Sequence, residues 1–303
     1  MLDNDHPMQV RDVELLRRIG GGGMADVFRG VRRTGGHRIA VKVLHTNLQD
    51  DQARRRQLEY EAHAIASLRH RYIVTIRDFD IVKGQPCIIM DLVTGPSLEE
   101  HLNRLHRSGR RLEIGGICSL LKNVADALDY AHSCGIAHRN IKPSNILLRS
   151  ETKGIVPGRD LPVDTEAVLA DFGLATIETM STFLSRTPAY MAPEQVLGGH
   201  ADARTDVYAL GVILYEMLAG QVPFHNASGD FVPVLLMQVH SEAPPIDGIS
   251  LAIWDVVSRA LAKEQKDRYL TAGEMVRDLK HAAMGGRLER KTIRRGAGRS
   301  ARR

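Results

Sequence analysis

Between His138 and Asn145 the chain reads HRNIKPSN, and Asp171 follows in ADFG. Asn145 and Asp171 are oxygen donors suited to a hard cation such as Mg²⁺, which takes few protein ligands and completes its shell with phosphates. Lys142 places a positive charge where a phosphoryl group in transfer would need one. Upstream, in IGGGGMADVFRG, Gly20, Gly22 and Val27 fit the spacing G-x-G-x-x-G-x-V, with Ala25 at the third glycine position. Glycines let backbone N–H groups approach a phosphate without a Cβ in the way. Four consecutive glycines would also suit a flexible turn. The chemistry these types share is the handling of phosphate and its metal.

Lys42 belongs to the same set. It lies in AVK, within an apolar run that reads as a strand, and a buried ammonium is costly unless it is paired. Glu61 sits on the apolar stripe of a helical pattern and is the expected partner; Glu59 is the fallback but falls off that stripe. A structural salt bridge would account for both residues. A lysine holding phosphates and oriented by a glutamate accounts for them together with the glycine loop.

The elements that must position these residues follow from periodicity. IAVKVL (39–44) and PCIIMDLV (86–93) are short, apolar and rich in β-branched residues, as buried strands are. One helix is expected from Gln52 to Leu68, with Leu58, Glu61, Ile65 and Leu68 on one stripe. After a hinge near 91–95, Ser97 and Glu100 form a capping box that opens a helix. Helical periodicity recurs around 117–133, 205–219, 251–262 and 271–283. The polar segment 149–168 separates NILL from VLADFG and reads as an enlarged hairpin loop, either a plain insertion or a docking element.

Composition is that of a soluble globular protein, 43% hydrophobic and 25% charged. The net charge of +5 comes from the tail: Gly285–Arg303 holds eight Lys/Arg and one Glu, so the rest of the chain is slightly acidic. A nucleic-acid-binding body is therefore not expected. The tail has the composition of a disordered segment, a solubilising linker or a contact for acidic partners or membrane surfaces. Cys87, Cys118 and Cys134 lack metal-ligand spacing and read as reduced thiols of a cytoplasmic protein. MLDNDHPMQV has no cationic start followed by an apolar run, so no signal peptide is expected. VYALGVILYEML, interrupted by Glu216, is too short to span a bilayer and is expected to be a buried helix.

With TPAYMAPE at 187–194 and DVYALG at 206–211, the ordered set resembles a eukaryotic-type protein kinase domain. GGGGMADV is most similar to the bacterial Ser/Thr kinases. The resemblance covers roughly residues 13–281. A small-molecule kinase would be expected to lack APE, the DVYALG helix and Arg268 in DRYLTAGEM, all present here. The resemblance implies an α+β, two-lobed protein kinase-like fold. Its parts would be an extension 1–12, a small β-rich N-lobe 13–92, a larger helical C-lobe 93–283 and the tail 284–303.

The resemblance also implies roles. Gly20, Gly21, Gly22, Gly23 and Val27 would cover the phosphates of ATP, and Lys42, paired by Glu61, would hold the α- and β-phosphates. The adenine would contact the backbone of Asp91 to Val93 behind Met90, with Ala40 and Leu147 in the same cofactor site. Asn145 and Asp171 would bind Mg²⁺. Asn140, Lys142 and Thr187 would complete the catalytic set with Lys42 and Glu61, Lys142 and Thr187 indicating the Ser/Thr class. Glu194 would pair with Arg268, and Asp206 would anchor the catalytic loop. Thr176, Thr179, Ser181, Thr182 and Ser185 are candidate phosphorylation sites, with Arg139 as partner for an added phosphate; each also reads as an ordinary loop hydroxyl. Arg186 stands where the family usually has Gly, which bears on the substrate pocket. The partners implied are ATP and a protein, either substrate or regulated target, with no specific nucleic acid; a homodimer is compatible with this.

Asn140 is the main departure, because the family has there the Asp that accepts the substrate hydroxyl proton. Asn can still accept a hydrogen bond but cannot take the proton, and the negative charge is gone. General-base catalysis is worth about 10²–10⁴, or about 2.7–5.5 kcal/mol of barrier. Kinases turn over at about 1–100 s⁻¹, so the expectation is on the order of 10⁻⁴ to 1 s⁻¹. Positioning and charge neutralisation do most of the work in the loose transition state, and those parts remain. Two readings follow: a Ser/Thr kinase of much reduced turnover, and a pseudokinase whose nucleotide-dependent closure regulates a partner.

Overall fold

The computed structural model describes residues 9–23, 25–48, 51–172 and 188–286. Expectations placed on Thr176, Thr179, Ser181, Thr182, Ser185, Arg186, Thr187 and most of the basic tail lie outside the described residues.

The first part of the chain forms an antiparallel sheet. Its strands are β1 (Gln9–Val10), β2 (Val13–Gly21), β3 (Ala25–Arg32), β4 (Arg38–Leu44), β5 (Ile76–Val82) and β6 (Gln85–Asp91), in the order β1-β2-β3-β4-β6-β5. A strand's side chains alternate between its faces, and β4 obeys this. Ile39, Val41 and Val43 pack with Val10, Val13, Leu15, Cys87 and Ile89 in one core. Ala40 and Lys42 therefore fall on the opposite face, which looks toward the helical lobe. Helix α1 (Gln52–Ala66) follows β4, and its Leu58 joins Ala25, Leu44 and Leu48 in a second cluster. Ala25, at the third glycine position, is buried there; its Cβ is a packing group rather than an obstruction.

The second lobe is helical. Ser97 and Glu100 make the expected capping box at the start of α2 (Leu98–Arg107), followed by α3 (Ile114–Ser133). Past the short α4 (Pro193–Val196), α5 (Ala203–Ala219) runs through the middle of the lobe, every residue from Thr205 to Tyr215 buried. Helices α6 (Phe231–His240), α7 (Leu251–Ala260) and α8 (Ala272–Ala283) complete the described part. Of these, α6 is not expected from sequence. FVPVLLMQVH is apolar nearly all round and carries Pro233, so no 3.6-residue stripe stands out. Its signal is Asp230, which accepts the N–H of Val232 at 3.0 Å as an N-cap. Among the described residues no helix is long and apolar enough to cross a membrane.

β7 (Ile146–Arg149) and β8 (Glu166–Leu169) pair antiparallel, so the connecting segment is 150–165, shorter than the sequence suggests. It is a built structure. Asp164 accepts from Ser150 Oγ at 2.9 Å and from Thr152 N and Oγ1 at 3.0 and 2.8 Å. These bonds, the Thr152 hydroxyl foremost, hold its carboxyl down to about 2. Gly158 lies against α2, donating its N–H to His101 Nδ1 at 3.3 Å, while Arg110 pairs with Asp160.

Candidate functional site

The five apolar residues expected around the nucleotide converge. Val27 of β3, Ala40 of β4, Met90 at the end of β6, Val93 just beyond it and Leu147 of β7 belong to one apolar cluster, which draws on both lobes. Leu92, within the expected Asp91 to Val93 stretch, joins it, and Val74, Val168 and Ala170, which were not anticipated, complete it. For Val168 and Ala170 the signal was the alternation in AVLAD: Ala167 and Leu169 belong to the main core, which leaves Val168 and Ala170 for the cleft. Asp91 donates its backbone N–H to the carbonyl of Thr75 at 3.0 Å, and its carboxylate accepts from Arg77. Among the described residues no backbone partner engages Val93.

Lys42 projects into this cleft and meets Asp171, Nζ–Oδ2 2.9 Å, with both side chains largely buried. Burial alone would raise the Asp171 carboxyl; the charge and hydrogen bond of Lys42 outweigh it and hold the group below its usual range. Asp171 has φ +58°, a left-handed conformation that non-glycine residues seldom adopt.

The Lys42–Glu61 pair expected from sequence is not made. Glu61 Oε1 accepts from Gln57, one turn back on α1, at 2.8 Å, and its Oε2 is buried with no hydrogen-bond partner. The reason is competition for one ammonium. Gln57 draws Glu61 along the helix, whereas Asp171, a buried carboxylate, takes the cation within its reach. The fallback, Glu59, pairs with Arg55 at 3.0 Å.

The loop of residues 138–145 is held from beneath by Asp206, which is 1% exposed. Its carboxylate accepts from the backbone N–H groups of His138 and Arg139 at 2.8 and 2.7 Å and contacts His132 Nε2 at 2.8 Å. Arg139 takes φ +61°, which those bonds stabilise. His138 is wholly buried, packs on the Phe172 ring at 4.6 Å between centroids, and donates from Nε2 to the Ala170 carbonyl at 3.0 Å. Burial holds it neutral, and its Nδ1 accepts the Asn140 N–H at 3.3 Å, which fits a single tautomer.

Asn145 Nδ2 donates to the backbone carbonyl of Asn140 at 2.8 Å. This orients the amide and leaves Oδ1 as the atom that could accept a cation. Ala170 N–H bonds the Asn145 carbonyl at 2.8 Å, so Asn145 and Asp171 are brought together across one backbone contact. Among the described residues there is no cluster of three or more His, Cys, Asp or Glu of the kind a self-sufficient metal site needs. One amide oxygen and one ionised carboxylate are instead a donor set for a hard cation sharing its shell with phosphates.

Asn140 and Lys142 line a second, small cleft together with Arg139, Tyr190, Gln195 and Thr205. Its floor is braced. Glu194 makes a two-pronged bond to Arg268, 2.8 Å on each arm, and accepts from Thr205 Oγ1 at 2.7 Å. Gln195 Nε2 reaches the Arg139 carbonyl at 2.9 Å, and Gln238 holds the carbonyls of Pro188 and Ala189. The glycine hairpin closes with Gly22 N–H on the Ala25 carbonyl at 2.9 Å, and Gly20 pairs with Val27 in the register of β2 and β3.

Residues 13–279 match the protein kinase domain family. The serine/threonine-protein kinase Pkn1 of Myxococcus xanthus is 38% identical over 84% of this chain and 36% of its own length. PknF of Mycobacterium tuberculosis is 33% identical over 90% of this chain and 56% of its own. The chain thus spans between about a third and somewhat over half of these relatives. The crystal structure of the Mycobacterium tuberculosis PknI kinase domain aligns with a TM-score of 0.68 and 27% identity, covering 91% of this chain and 98% of that one.

Proposed function

Because this chain belongs to the protein kinase family, we propose that it is a Mg-ATP-dependent Ser/Thr protein kinase of low turnover, acting on the hydroxyls of a protein. The observation that carries this is the convergence of Lys42, Asp171 and Asn145 beside an apolar cleft built from both lobes. The apolar cluster suits an adenine ring, and the Val93 backbone would bind its edge. Lys42 would pass from Asp171 to the phosphates, which frees the Asp171 carboxylate. Asp171 and Asn145 Oδ1 would then hold Mg²⁺, whose charge offsets that of the phosphates. Glu61, with its buried and unpartnered Oε2, would take the lysine from the other side.

At the second cleft Asn140 would accept a hydrogen bond from the substrate hydroxyl and align it. Lys142 would offset negative charge on the group in transfer. Because Asn140 cannot remove the proton, that proton would leave later, to solvent or phosphate oxygen. Slow turnover is the consequence.

The same residue favours a second reading, a pseudokinase that binds nucleotide and regulates a partner through lobe closure. Incubation of the purified chain with radiolabelled ATP separates the two, with Lys42→Ala and Asn140→Asp as comparisons. Wild-type labelling above that of Lys42→Ala supports the kinase. Labelling equal to Lys42→Ala, together with strong labelling by Asn140→Asp, leaves the binding module.

A further inference from the structure

At the glycine hairpin three charged or ionisable side chains meet. Arg18 on β2 and Asp26 on β3 form an ion pair, Nε–Oδ1 2.6 Å. His45, just past β4, approaches the other oxygen of Asp26 with Nε2 at 3.0 Å, and its Nδ1 lies 3.2 Å from the carbonyl oxygen of Gly23. Both ring nitrogens thus face acceptors. An imidazolium donates to the two together, whereas a neutral ring serves one. The pair also lies across Gly21, whose φ is +153°: a Cβ there would collide with Asp26 Oδ1 and the Arg18 guanidinium. The glycine at 21 is what lets the clasp close.

Strand pairing orders Gly20 and Gly21, and the Gly22 N–H bonds the Ala25 carbonyl, but among the described residues no other side chain packs on the tip of the turn. A Cβ at Gly22 or Gly23 would meet nothing within 4 Å, so these residues have open space around them. Glycines lose more conformational freedom on ordering than any other residue. A run of them facing a ligand binds more weakly unless something orders it beforehand.

We propose that Asp26, clasped by Arg18 and His45, is a positioning residue that pre-orders Gly20–Gly23 for phosphate binding; this rests on the reading that the glycine loop covers ATP phosphates. As positioning groups, the three side chains would not themselves touch the phosphates. They act through the backbone of Gly21 and Gly23. A purely structural ion pair at this half-exposed position would contribute little to the fold, and its loss would weaken adenosine and ATP alike or affect neither.

The test is titration calorimetry of adenosine and Mg-ATP against the full chain, with Asp26→Asn, His45→Ala and Asp26→Glu. Asp26→Asn and His45→Ala are expected to weaken Mg-ATP about three- to tenfold, the order that a partly exposed ion pair and a side-chain hydrogen bond supply. Adenosine affinity is expected to stay within about twofold of wild type, since it has no phosphate for the loop to order. Asp26→Glu keeps the charge and is expected to recover most of the loss. Equal weakening of both ligands overturns the proposal, as does wild-type Mg-ATP affinity in both Asp26→Asn and His45→Ala. If wild-type protein binds adenosine as tightly as Mg-ATP, the phosphate-site reading itself fails and this proposal with it.

Discussion

The side-chain amide of Asn145 is bonded to the backbone carbonyl of Asn140, not to its side chain, at 2.8 Å. The contact that orients the candidate metal ligand is therefore indifferent to which residue stands at 140. Restoring a carboxylate should leave the rest of the loop in place. Asn140→Asp is predicted to raise kcat about 10²–10⁴-fold with little change in KM for ATP, measured by steady-state phosphorylation of a generic protein substrate or of the chain itself. A rise of less than twofold would show that proton removal is not what limits this chain.

Lys42 is the cation that holds Asp171 ionised inside the cleft. Lys42→Ala should leave a buried carboxylate without its partner and remove the contact to the phosphates. The Tm of wild type should rise with Mg-ATP, by the equivalent of about 2.7 kcal/mol at a hundred times Kd, and that rise should largely vanish in Lys42→Ala. Thermal scans with and without nucleotide check this; equal shifts in both proteins would contradict it.

Glu194 and Arg268 form an ion pair in which the guanidinium is fully buried. Burial alone would raise the Glu194 carboxyl; its bonds to Arg268 and Thr205 hold it below the usual range. Removing one partner of such a pair costs about 3–5 kcal/mol. Glu194→Gln should fall near the lower figure, because Arg268 keeps bonds to the carbonyls of Arg204, Ala262 and Lys263. Urea unfolding measures the loss. Its pH dependence has a fixed sign: the contribution of Glu194 is present above the ordinary Glu value of about 4.3 and is lost as the pH falls below it.

Four histidines, His70, His101, His106 and His138, are pushed by burial below the ordinary imidazole range. In the unfolded chain each takes up a proton near pH 6.5, while in the folded protein each resists it. Unfolded chains then bind more protons, so stability falls with pH through this window. Urea midpoints at pH 7.5, 6.5 and 5.5 should decrease in that order. A midpoint that rises on acidification would refute the assignment of these rings as buried and neutral.

Gly158 holds the 150–165 connection on α2 in a left-handed conformation, φ +78°, and a Cβ would lie 2.7 Å from that of Arg104. Gly158→Val should therefore lift this part of the loop from His101 and Arg110, costing about 1–3 kcal/mol. Hydrogen exchange should quicken at the amide of residue 158, while the amides of His138 and Arg139 stay protected by Asp206. Faster exchange at both places would mean that the loop and the catalytic segment open as one unit.

Much of the site was legible because it is written in local patterns. The short, apolar, β-branched run IAVKVL marked a buried strand carrying Lys42. Ser97 and Glu100 marked a helix start, and Asn145 and Asp171 declared themselves as oxygen donors. Family resemblance supplied Asp206 and the Glu194–Arg268 pair, which local pattern would not have joined. Helix α6 escaped because a segment apolar on all sides has no stripe to read. What the tertiary structure decided was the partner of Lys42. Glu61 and Asp171 are both carboxylates from distant segments, and the choice depends on ångström-scale placement of α1 and of the segment after β8 around β4. An ion pair forms or fails over such distances, and no spacing along the chain encodes them. The clasp on Asp26 is of the same kind: Arg18, Asp26 and His45 look like ordinary surface residues until the hairpin sets Arg18 and Asp26 across Gly21 and His45 against Asp26 and the Gly23 carbonyl.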